Sequence, residues 1–464
     1  MRNVKDFGAV GDGVVNDAGA IQHAVESGVS HLCFPPGTYR LESTITVDLS
    51  THPRIGLSGA GGTAKIVMAG AGPAFHFLGS HRGSADPGGF AAEVWQNERM
   101  PLVENLEIEG AHEEADGVRI ERTMQSTFQS VLLRKLRHGI HVVERARNIL
   151  VSHCHIYDNQ GIGIFFDHTN LHQVIIADSH ISYNKLSGIK ILNGQVRNVQ
   201  ITGNDIEYNY DQAAGEDARP SAEIWIETSG NDATIREGTI GGNTIQSRYA
   251  PGGANIRIIG RGGDENHHAG MIAISGNLIG SQETNVKLES CRGITITGNV
   301  IYSGHKHNLH AVDCRNIVVN GNSFDHNPDY LPKELATGVR FENCSDCNMS
   351  ACTIQDAHAG EHTVKTPAAL EREALVEAHG CKRFTLAGCQ VIDAGAYGVL
   401  FDGCSMVNMN GCTVVDQREE KKMRAAVKWR GCAAPNLMAG NILGEGSEGV
   451  VLEGESEVTK AGNG

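Results

Sequence analysis

The feature that most constrains this chain is a recurring string, apolar-x-apolar-x-Gly-Asn-x-apolar, which appears as VQITGNDI (199–206), IAISGNLI (272–279), ITITGNVI (294–301) and IVVNGNSF (317–324). A repeat outranks local propensity as a guide to architecture, because a unit that cannot bury its own apolar face must stack on its neighbours. The residue at the Asn place runs Cys154, Ser179, Asn204, Asn243, Asn277, Asn299, Asn322, Cys352, Cys389, Cys412 and Asn441, with spacings from 22 (Asn277 to Asn299) to 39 (Asn204 to Asn243). A floor near that smaller spacing, with variable excess, describes a coil of constant size carrying inserted loops.

Each unit has a second landmark, an alternating strand such as GIKIL, EIWIE, NVKLE, NLHAV, GVRFE, GVLFD or AVKWR, followed by a turn. Three short strands and three turns complete one coil. Alternation sends one set of side chains inward and the other outward, and coils stacked at about 4.8 Å align equivalent residues into ladders. The expected fold class is therefore all-β: a single-stranded right-handed parallel β-helix of about 11–13 coils with an N-terminal capping α-helix. The expected organisation is one domain over 1–455, with a cap segment over 1–45 and a flexible tail over 456–464.

Two ladders support the stack. Amides at the Asn place can bond one another and the turn backbone from coil to coil. Cys291, Cys314, Cys344, Cys381, Cys404 and Cys432 form a second column just after the alternating strand, where Cys acts as a small buried hydrophobe. Thiols spaced along a wall do not converge on a metal, and His153, His155, His168, His172 and His180 scatter over different coil positions, so no metal site is read from either set. The twelve cysteines are expected to be free thiols in a reducing compartment.

Composition narrows the functions. With 39 basic and 54 acidic residues the formal charge is −15, which makes nucleic acid an unsuitable partner. No run of about 18 apolar residues occurs, so no membrane partner is expected. The N-terminus has no basic stretch followed by an apolar run and a cleavage site, which gives a cytoplasmic expectation. The insertions at 209–221, 246–253, 325–337, 356–373 and 417–424 all fall between the Asn turn and the next alternating strand. They project from one edge and can wall a groove whose floor is that strand.

The N-terminal segment reads NVKDFGAVGDGVVND (3–17), then a helix over Ala18 to Ser27 with Asp17 as N-cap and Gly28 as stop, then HLCFPPGTYRL (31–41). Such a helix can plug the end of a solenoid and hide unpaired strand edges; Asp12 and Asp17 are expected to make turn and cap bonds. The DFGAxGDGxxND string, the amphipathic helix and the FPPGTY turn, in that order over about 40 residues, resemble the N-terminal segment of the pectate-lyase-like superfamily, including polygalacturonase-type glycoside hydrolases (family 28) and phage tailspike depolymerases. The resemblance implies a right-handed β-helix acting on a polysaccharide or oligosaccharide, usually one containing uronic acids. The hydrolase family's NTD, paired-Asp, Gly-His-Gly and RIK motifs are not present as a set, and the lyases' acidic calcium cluster is not recognisable, so no catalytic residue transfers.

Site candidates come from the strand alignment instead. The outward residue on successive floor strands reads Arg119, His141, Gly163, Lys190, Trp225, Arg257, Lys287, His310, Arg340, then Leu400, Lys428 and Val451. A basic stripe on an acidic protein is either balanced by the next column or set for an anionic ligand. The next column reads Glu121, Val143, Phe165, Leu192, Glu227, Ile259, Glu289, Val312, Glu342, Asp402, Arg430 and Glu453. Glu223, Trp225 and Glu227 face outward together, which offers an indole for stacking a sugar ring between two acids.

Two chemistries fit this groove. In hydrolysis, the favoured reading, the catalytic candidates are Glu227, Glu289 and Glu223. Glu223 and Glu227 stand about 13 Å apart along one strand, too far to pair, whereas Glu227 and Glu289, two coils apart at roughly 9.5 Å, reach the upper end of the inverting range. Asp211, Glu216 and Asp217 are rival partners. Substrate contacts fall to Trp225, Lys190, Arg257, Lys287, His310 and Arg340. In β-elimination, Lys190, Arg257 or Lys287 neutralises a uronate carboxylate while a second of them, or His310, takes the C5 proton. The cluster His305, Lys306, His307 and His310 lies where a loop meets the floor strand, a place for a titrating group. No cofactor is expected, with calcium entering only for a lyase. The non-enzyme alternative is a glycan-binding or tailspike-like adhesion solenoid, which would usually be a trimer.

Overall fold

The structure, a computed structural model, describes all residues except 1, 84–88, 90, 212–218, 265, 330–336, 357–371, 445–448 and 464. The chain divides into two compact units, Met1–Gln212 with Ser221–Thr239 and Ala213–Pro220 with Ile240–Gly464. In a solenoid each coil touches only its neighbours, so compactness is a local property along the chain.

Each unit is built from three parallel ladders, as the repeat requires. In the first unit the floor ladder runs through Ile45–Asp48, Gly72–Leu78, Ala115–Met124, His138–Ser152, Ile162–Ala177, Ser187–Leu192 and Ser221–Glu227, every pairing parallel. In the second it runs through Gly253–Ile259, Thr284–Glu289, His307–Val312, Gly338–Glu342, Ala374–His379, Tyr397–Asp402, Ala425–Arg430 and Val450–Glu453. The other two ladders of each coil carry the remaining short strands, such as Cys291–Thr297 and Val300–Tyr302. Inward positions are filled by aliphatic side chains, with Ile164, Ile189 and Ile224 fully buried in one file. Burying each such side chain contributes about 1.5–3 kcal/mol.

The Gly-Asn string now has a physical meaning. The Gly of the pair adopts a left-handed φ at Gly276 (65°), Gly298 (64°) and Gly321 (61°), the bend that turns the chain out of one strand. The following Asn points inward. Asn277 donates through Nδ2 to Asn299 Oδ1 (2.9 Å) and Asn299 to Asn322 Oδ1 (2.9 Å), while the backbone N–H of Asn277 and Asn299 donates to the same acceptors. Each buried amide thus satisfies a turn backbone group one coil away. The cysteine column is equally interior: all six members are buried free thiols.

At the N-terminus the helix covers Ala18–Glu26 and buries Ile21, Ala24 and Val25. Gln22 acts as a missing strand: its Nε2 donates to Thr46 O (3.1 Å) and its Oε1 accepts from Thr46 N–H (2.9 Å), so a free sheet edge is hydrogen-bonded by a side chain. Asp17 does not cap the helix with its carboxylate. It accepts instead from the N–H groups of Val10 (2.6 Å) and Gly11 (3.1 Å), pinning the GAVGDG turn, and Asn16 Oδ1 takes the Ala18 N–H. Asp12 makes its expected turn bonds, to Val14 and Val15 N–H. At the other end the residues expected to form a loose tail include a strand, Thr459–Ala461, that pairs with Leu437–Ala439, and Asn463 prolongs the amide ladder from Asn441 (2.8 Å). Among the described residues no helix is long and apolar enough to cross a membrane.

Candidate functional site

The basic stripe exists, with two corrections. In the first unit the register is Arg119, His141, Phe165, Lys190 and Trp225, so Phe165 and not Gly163 occupies the outward place, and Asp167 takes the position in the next column assigned to Phe165. In the second unit the order is Arg257, Lys287, His310, Arg340, Glu377, Leu400, Lys428 and Val451, which adds a carboxylate at Glu377 and an imidazole, His379, beside it.

Glu223 is not a groove residue. It is 0% exposed, and its carboxylate accepts from the Asn209 backbone N–H (2.8 Å) and from Asn209 Nδ2 (2.5 Å). The cause lies in its column, which consists of Gly117, Gly139, Gly163 and Gly188 before Glu223. Those glycines leave room for a second interior amide ladder, Asn159 to Asn184 (2.7 Å) to Asn209 (2.6 Å), and Glu223 terminates it as an acceptor. Trp225 is half-buried, with the Lys190 ammonium 3.6 Å over its ring centroid, so a cation already occupies one face that a sugar would need. Glu227 accepts from Trp225 Nε1 (3.1 Å) and Ser229 Oγ (2.8 Å). Of the loop acids, Asp211 is buried, and Glu216 and Asp217 lie outside the described residues.

The stripe opens into a cleft in the second unit, of about 330 Å³, whose walls include Arg257, Lys287, His310 and Arg340, four of the six substrate-contact candidates. Lys306 and His307 from the predicted basic cluster join them, with Glu283 and Glu342 as the carboxylates. Two guanidinium and two amino groups thus face two carboxyl groups. Lys190, Trp225, Glu227 and Glu289 are not among the lining residues.

Each group in the cleft has a defined electrostatic state. Burial, reinforced by Arg257, lowers the Lys287 pKa, and no carboxylate among the described residues lies within ion-pair distance of its ammonium. Burial drives His307 well below the ordinary histidine value, with His310 and Arg340 adding to the effect. Burial also lowers His310, although Glu342 opposes it. His310 Nε2 stands 2.9 Å from Glu342 Oε1; a carboxylate only accepts, so Nε2 carries the proton and Nδ1 keeps its lone pair. The Arg340 Nε is 2.6 Å from the same Glu342 oxygen, and its Nη1 is 3.3 Å from Glu377. Glu283 accepts from the Gly252 N–H (3.1 Å) and lies 3.8 Å from Lys306. The rings of His307 and His310 are 4.7 Å apart.

Elsewhere the stripe is balanced by its neighbouring column, as at Arg119 with Glu121 (3.3 Å) and Lys428 with Glu453 (2.8 Å). Among the described residues no three His, Cys, Asp or Glu side chains converge in a way that could hold a metal ion. Glu283 and Glu377 escaped sequence reasoning, the first because it precedes its strand, the second because its strand, LVEAH, alternates weakly behind a long insertion.

Residues 1–87 match the family described as rhamnogalacturonase A/epimerase, pectate lyase-like, and residues 91–260 and 222–463 match the right-handed β-helix region. Among solved structures, the chain is similar to the Azotobacter vinelandii mannuronan C-5 epimerase AlgE6 A-module (16% identity, 100% of this chain and 98% of that one, TM-score 0.33). It is also similar to bacteriophage phi29 gene product 12 in its pre-mature form (16% identity, 99% and 57%, TM-score 0.56) and to bacteriophage CBA120 tailspike protein 3 (11% identity, 100% and 61%, TM-score 0.46). The chain spans just over half the length of the phi29 protein, and that likeness is one of fold. No curated protein sequence matches it.

Proposed function

Because the chain belongs to the right-handed β-helix family, with a pectate-lyase-like N-terminal segment, we propose that it is a carbohydrate-active protein whose second-unit cleft takes a uronate-containing glycan and cleaves it by β-elimination. The observation that carries this reading is the convergence of Arg257, Lys287, Lys306 and Arg340 with two imidazoles of lowered pKa on one cleft. A uronate carboxylate bound between Arg257 and Lys287 loses its charge to them, which acidifies the C5 proton. His310 Nδ1, made available because Glu342 holds Nε2–H, accepts that proton. The electron pair forms C4=C5 as the C4–O bond breaks, and the leaving oxygen takes a proton from water or from the Lys287 ammonium.

The carboxylate-pair hydrolysis expected from sequence has less support. Glu223 is interior, Glu227 is held by Trp225 and Ser229, and neither Glu227 nor its expected partner Glu289 is among the residues that line the cleft. The test is to incubate the full chain with a panel of hexuronic-acid oligomers and follow reducing ends together with the ultraviolet absorbance of unsaturated products. Both should rise, and His310→Asn should lower the rate by about 10²–10⁴-fold. Reducing ends without absorbance would reject elimination in favour of hydrolysis; tight binding with neither signal would identify a glycan-binding protein.

A further inference from the structure

The first unit holds a cleft of its own, of about 460 Å³, with a different chemical character. It opens where the chain bends through left-handed residues at Glu144 (φ 54°) and His168 (50°), inside the long strands His138–Ser152 and Ile162–Ala177, and at Asn193 (48°), just after Ser187–Leu192. Three coils therefore present these side chains as one column. The column beside it is Arg145, Asn170 and Gln195, which pair in register. Two columns three coils deep span about 9.6 Å between the outer members, room for one or two pyranose rings.

The second column is already aligned by its own hydrogen bonds. Arg145 Nη1 donates to Asn170 Oδ1 (3.1 Å), Asn170 Nδ2 to Gln195 Oε1 (2.9 Å) and Gln195 Nε2 to the Asp232 carbonyl (3.4 Å). Asn193 Oδ1 is fixed by the Gly230 N–H (2.8 Å), and no described residue accepts from its Nδ2. Such a wall carries amide donors and acceptors with little freedom left to lose, which suits vicinal hydroxyl groups that both donate and accept. Its charges are one arginine against Glu144 and Asp232, the reverse of the cationic excess in the second unit's cleft. A uronate is disfavoured here, and an uncharged ring is not.

We infer that this cleft is a binding site for neutral, hydroxyl-rich sugar residues, separate from the uronate site. The inference rests on reading the chain as a glycan-handling protein, and its test is arranged to fail independently. The full chain is mixed with neutral gluco-, galacto- and manno-oligosaccharides and, separately, with hexuronic-acid oligomers, and binding is followed by saturation-transfer NMR and titration. At least one neutral oligosaccharide should bind, and Gln195→Ala and Asn193→Ala should each weaken it tenfold or more without altering binding of the uronic oligomer. If no neutral oligosaccharide binds, or if binding survives both folded variants, the inference is overturned. If the uronic oligomers fail to bind while the neutral one binds and is lost in the variants, the elimination reading falls and this site stands.

Discussion

Glu342 decides which nitrogen of His310 can act as a base, and it also sets when. Burial keeps the imidazole neutral below the ordinary histidine pKa, while the carboxylate pulls the other way. The acid limb of kcat/KM is therefore expected at a midpoint below about 6.5, with activity lost as pH falls through it and His310 takes up its proton. Glu342→Gln removes the charge that raises the pKa, and it replaces an acceptor-only carboxylate with an amide that can present either its oxygen or its NH2 to Nε2, so the tautomer is no longer fixed. The rate should drop about ten- to a hundredfold and the limb should move to still lower pH. A pH profile of the purified variant checks both signs, and a limb that stays in place would remove His310 from the role of base. These consequences lie beyond sequence because the spacing of His310 and Glu342 shows only that they share a face, whereas the 2.9 Å contact distinguishes one nitrogen from the other.

At the scale of elements, most of the pattern was readable because strand alternation has a strict period of two. The inward aliphatic files, the Asn and Cys ladders and the register of Arg257, Lys287, His310 and Arg340 all follow from it. It failed where glycine blurs the period: GIGIF contains two glycines, and counting outward from the wrong one exchanges Gly163 for Phe165. It failed again at Glu223, since alternation identifies a face but not the emptiness behind a row of glycines. That emptiness is testable. A Cβ on Gly163 would lie 2.7 Å from Gly188 O and 3.0 Å from Asn184 Nδ2, against backbone and a locked amide. Gly163→Ala should cost about 1–3 kcal/mol, read as a lower urea midpoint at unchanged slope.

For the molecule as a whole, the exposed ends of its ladders are the hazard, because unpaired strand edges recruit other chains. Gln22 closes one such edge through its side chain, and Thr459–Ala461 continues another. Deleting residues 456–464 would leave Leu437–Ala439 paired on one side only, with Asn408–Asn410, and would take from Asn441 its Asn463 acceptor. Light scattering of the shortened protein should show more concentration-dependent association than the full chain, and a profile no different from the full chain's would remove the protective role. The amide ladder carries a further consequence. Asn277 and Asn299 each ask of the next turn only an amide oxygen in the same place, so the bond that joins two such turns is indifferent to which two they are. A sequence of this kind can lengthen by copying one turn, or shorten by losing one, while the joint on either side closes as before, leaving the outward columns free to diversify.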